Sequence, residues 1–162
     1  MKTEIKWGVI FTIAMLLWLA LERLAGLHDK YLWLQPFLTN LVIIPSIWIY
    51  VLLIREKRRQ LGGKITFKQA FISGLLTTVV VTLLVPLAQW LTFKFITPHF
   101  FENAINFCVT QQGHTLAYAQ AIFNTQNYLR IGMVGALVMG TITSLILAVI
   151  MRTKTVKQSS TA

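Results

Sequence analysis

Few side chains in this chain are of types that could carry chemistry, and their spacing limits what that chemistry could be. Glu22, His28, Asp29, His99, Glu102 and Arg130 form the candidate polar set. Carboxylates and imidazoles exchange protons and ligate metals. His99 and Glu102 stand three apart and would share a helix face, a spacing compatible with a shared metal, but no second such pair occurs and no metal site is expected. A catalytic histidine with Glu22 as its base would also need a nucleophile or a cofactor motif, and the sequence offers neither. No cofactor is implied. The single cysteine, Cys108, excludes an intrachain disulfide and a Cys-rich zinc motif. Between Phe107 and Val109 it reads as a buried, inert thiol.

Glu22 carries the most weight. It lies 15 residues after Trp7, about 22 Å along a helix, which puts it in the outer part of a hydrocarbon layer if the segment spans one. A functional role is the default hypothesis for an intramembrane carboxylate. The structural alternatives are an ion pair with Arg130 or Lys94, or a depth shallow enough for water, since Arg23 beside it can snorkel to the same interface. Gln89, Trp90 and Asn40 read as interhelical hydrogen-bond partners or interface anchors rather than ligands.

The elements that must position these groups are written in the spacing of charge. Four uncharged apolar stretches, 7–21, 31–54, 69–93 and 131–151, alternate with short segments holding the 15 basic and 5 acidic residues. A bilayer core is about 30 Å thick and needs about 20 apolar helical residues to cross it. The pattern predicts an all-α integral membrane four-helix bundle, a single domain over 1–162 with spans at about 5–27, 36–54, 67–96 and 128–151. Lys2 and Lys6 ahead of an apolar run mimic a signal peptide, but no small-x-small cleavage site follows, so the segment reads as a retained first span.

The net charge of +10 does not imply a nucleic-acid partner, because the basic residues sit at the ends of apolar runs rather than on one soluble face. Eleven of the 15 fall in the N-terminus, the second connection and the C-terminus. The positive-inside rule then predicts that both termini and the basic loop 55–66 are cytoplasmic. That loop can also attract anionic lipid headgroups. The tail 153–162 is expected to be disordered.

Local signals refine the spans. Pro36 suits the first turn of a helix, and Pro45 with Ser46 predicts a mid-helix bend. Gly62 and Gly63 permit a sharp turn; Thr66 and Gln69 have capping-box spacing, starting the third helix near Phe67. That helix is expected to run to about 96, with a kink at Pro86, and its excess length calls for tilt or protrusion. The outer cap, 97–127, reads as two short amphipathic helices, the first ended by Gly113 and the second capped by Thr115, with Asn124 or Thr125 opening the last span. Uncharged from Asn103 to Asn127, it is the region expected to meet a partner.

Packing signals are strongest in the fourth span, where Gly132, Ala136, Gly140, Ser144 and Ala148 recur every four residues. The third span carries a parallel series, Gly74, Thr78 and Thr82. Small residues let helices approach closely inside lipid, so pairing of these two stripes is expected, with a second copy as the alternative partner.

The run Gly62, Gly63, Lys64, Ile65, Thr66 and Phe67, followed by Ala70, Phe71 and Gly74, resembles the bacterial membrane family named domain of unknown function 4199, found mainly in Bacteroidetes. Glu4 to Gly8, Leu21 with Glu22, and Gly26 to Asp29 resemble one of its subgroups. The resemblance covers essentially the whole chain. It implies a small multi-pass protein of a Gram-negative inner membrane and supplies no activity. The expected role is a non-enzymatic accessory or interaction subunit in contact with lipid and with another membrane protein or a second copy. A small oligomeric transporter, channel or lipid-handling protein with Glu22 in the pathway is the alternative, and a membrane enzyme the third.

Overall fold

The computed structural model describes residues 1–28 and 30–153. The expected disordered tail therefore lies, apart from Thr153, outside the described residues. The first span is α1 (Lys2–Leu24). The second is built from α2 (Gln35–Leu38), a 3-10 turn (Thr39–Val42) and α3 (Ile43–Gln60). The third is α4 (Phe67–Leu91) continued by a π-helical turn (Thr92–Ile96). The cap contributes α5 (Phe100–Thr110) and α6 (Leu116–Ile122), and the last span is α7 (Thr125–Met151). Four helical segments, Lys2–Leu24, Gln35–Gln60, Phe67–Ile96 and Thr125–Met151, are long and apolar enough to cross a membrane. Their outward surfaces are apolar, as lipid requires of a spanning helix: Leu17, Leu83, Val134 and Ile150 are each more than half exposed.

Local chemistry explains most of the boundaries. Pro36 occupies the first turn of α2. Thr66 caps α4 reciprocally with Gln69, Thr115 accepts from Tyr118 N at the start of α6, and Asn124 accepts from Asn127 N at the start of α7. Gly26, Gly62, Gly63 and Gly113 hold positive φ, which a Cβ would strain. Pro45 falls in the first turn of α3 rather than in mid-helix, and the 3-10 turn Thr39–Val42 precedes it. Pro86 lies inside α4, which continues into the π turn.

α4 is the central helix, packing on α7 along its length, on α1, and on α3. The apolar core is gathered at one end, where Tyr50, Leu53, Ile54, Ile65, Ala70, Leu147 and Ala148 pack together and Trp7, Phe11, Phe67 and Phe71 cover them. This end also holds the N-terminus and the close of α7: Thr153 N donates to Ile65 O at 2.8 Å, and Ile65 N donates to Thr153 Oγ1 at 2.9 Å. We call it the termini end and the opposite one the cap end. At the cap end Phe93, Phe100, Phe101, Phe123 and Tyr128 form a ring-on-ring cluster joining the third and fourth spans to α5.

Candidate functional site

The seam between α4 and α7 is closed by residues too small to hold the helices apart. A Cβ built on Gly74 would lie 2.5 Å from Ser144 Oγ, and one on Gly140 2.5 Å from Thr78 Oγ1; Gly132 faces Gln89 and Val85. The hydroxyls lining the seam bond back to carbonyls of their own helices: Thr78 to Gly74 at 3.0 Å, Thr82 to Thr78 at 2.9 Å and Ser144 to Gly140 at 2.6 Å. With these hydroxyls turned back onto their own helices and small residues opposite them, the backbones approach. Ala136 sits half-buried on the same helix. Two polar links cross the bundle here: Tyr50 Oη meets Thr78 Oγ1 at 2.7 Å, and Gln89 Nε2 donates to Tyr128 O at 2.7 Å.

At the cap end Glu22 is buried, 3% exposed, together with His28 at the same exposure. Gly26 at φ +77° reverses the chain after α1, and this folds His28 back beneath the carboxylate. His28 Nε2 stands 3.1 Å from Glu22 Oε2, while Trp18 Nε1 donates to Oε1. Nδ1 of His28 is buried with no partner among the described residues. The cap helix closes the pocket: Phe100 packs edge-on against the His28 ring with centroids 5.6 Å apart, and Asn103 Nδ2 donates to His28 O at 3.2 Å.

Arg130 and Lys94, the cations expected to pair with Glu22, do not do so. Arg130 is exposed at the head of α7, and Lys94 lies over the rings of Trp90 and Phe95 at 4.9 and 5.6 Å. The carboxylate needs no distant cation because the turn that follows α1 delivers its own partner. His99 Nδ1 and Glu102 Oε2 stand 3.3 Å apart, but both side chains are more than two-thirds exposed. His114 stacks on Tyr118 with centroids 4.5 Å apart. Asp29 lies outside the described residues. Among those described, no three histidine, cysteine or acidic side chains converge as a metal would require. Asn40 bonds the carbonyl of Pro36 in its own span rather than a neighbouring one, and Cys108 is buried within α5.

The termini end holds polar residues that the sequence reading passed over. Glu4, 2% exposed, receives Lys57 Nζ at 2.7 Å, Ser73 Oγ at 2.9 Å and the amino terminus at 2.9 Å. Thr77 Oγ1 reaches the Glu4 carbonyl at 3.4 Å. Glu56 takes Lys6 Nζ and, at 2.8 Å, Trp7 Nε1; Thr3 and Gln60 bond each other. α1, α3 and α4 are thus bound together by charge at their ends. One signal was available: Glu4 and Glu56 are two of only five acids, and each lies in a segment otherwise crowded with base.

A family model described as protein of unknown function (DUF4199) matches residues 6–153. No curated protein and no solved structure matches the chain.

Proposed function

The chain belongs to the DUF4199 family of proteins of unknown function, and from that premise we propose that it is a small multi-pass protein of the bacterial inner membrane acting as a non-enzymatic accessory or interaction subunit. One observation carries the reading. Its buried carboxylates and the core tyrosine are bonded within the chain: Glu4 with Lys57 and Ser73 and Tyr50 with Thr78 between helices, and Glu22 with Trp18 of its own helix and His28 of the turn that follows. Such networks fix helix register and rigidify a bundle. Both Glu22 oxygens are taken up within the chain, which favours this role over a pathway lined by Glu22 in an oligomer.

In this reading the basic residues keep the termini end in the cytoplasm, and the uncharged cap and the basic loop are the contact surfaces. The test is purification of the tagged chain from its native membrane in mild detergent, followed by native mass spectrometry. A complex of fixed stoichiometry with a second membrane protein is expected. A homo-oligomer that conducts ions or solutes in liposomes would contradict the proposal.

A further inference from the structure

An open groove of about 650 Å³ lies between α1 and α3 at the termini end, lined by Trp7, Leu52, Arg55, Glu56, Arg59 and Gln60. We propose that it binds the phosphate headgroup of an anionic phospholipid, with the acyl chains running down α3. Arg55 and Arg59 are one helical turn apart and exposed, and among the described residues neither guanidinium has a hydrogen bond or ion pair. Two such forks on one face match phosphate oxygens bidentately.

The other polar groups of the groove are already engaged. Glu56 is held by Lys6 and Trp7, and Gln60 Nε2 donates to Thr3 Oγ1 at 2.9 Å. The charge left available is therefore positive. Leu52 lies one turn deeper than Arg55, and Trp48, 58% exposed, one turn deeper again on the same face. A free phosphate gains nothing from these apolar residues, whereas a lipid uses both the basic rim and the apolar track. The inference rests on α3 spanning the membrane and is independent of the interaction-subunit reading.

The test presents the full chain in mild detergent with equal amounts of phosphatidylglycerol and phosphatidylcholine, and counts retained lipid by native mass spectrometry. Preferential retention of phosphatidylglycerol by the unaltered chain is expected, undisturbed by excess inorganic phosphate. Arg55→Gln with Arg59→Gln should weaken that retention at least about tenfold, while the charge-matched pair Lys64→Gln with Lys68→Gln should keep it. No preference in the unaltered chain, displacement by inorganic phosphate, or equal loss in the charge-matched pair would each overturn the proposal. The first two readings need no variant, so the test stands even if the double arginine variant folds poorly.

Discussion

The side chain that changed most between sequence and structure is Glu22. Its position near the end of an apolar helix was legible, and so was its need for a partner. The partner was not, because a straight helical reading continues past Leu24 and sends His28 away from the carboxylate. Only the reversal at Gly26 brings the imidazole to 3.1 Å. A double-mutant cycle distinguishes the two accounts. Glu22→Ala and His28→Ala should each cost about 1–3 kcal/mol through an unsatisfied buried group, and together they should depart from additivity by about 0.5 kcal/mol or more. The cycle of Glu22→Ala with Arg130→Ala should be additive. Additivity with His28 and coupling to Arg130 would restore the discarded pairing.

Element boundaries were legible wherever a side chain writes them locally: Thr66, Thr115 and Asn124 as caps, Pro36 in a first turn, Gly113 after α5. The 3-10 turn at Thr39–Val42 was not, because no residue there forbids an α-helix and only the placement of Pro45 in the next turn organises it. The seam of α4 and α7 was legible in its four-residue period but not in its register, which sets Gly74 against Ser144 and Gly140 against Thr78. Register gives the second prediction. Gly140→Leu should destabilise the bundle by about 1–3 kcal/mol by overpacking, read as a lowered unfolding midpoint in detergent. Gly135→Leu, on the same helix but with nothing within 4 Å of an added Cβ, should leave the midpoint nearly unchanged. An unchanged midpoint for Gly140→Leu would mean that the stripe faces lipid.

At the scale of the molecule, four apolar helices were legible from charge spacing alone, because a membrane imposes length and composition directly. The fastening of the termini end by Glu4 and Glu56 was signalled only by their rarity as acids among bases, and orientation already explained those bases. Orientation gives the third prediction. With Cys108→Ser as background, a cysteine at Gln112 should react with an impermeant maleimide in intact cells, and one at Gln60 only after permeabilisation; the reverse pattern would invert the proposed topology. The central claim is that the buried carboxylates fasten the fold rather than carry out chemistry, and the thermal midpoint of Glu4→Gln and of Glu22→Gln in mild detergent tests it most directly. A loss of about 1 kcal/mol or more should lower each midpoint by about 2–4 °C or more. A folded variant with an unchanged midpoint would contradict the claim.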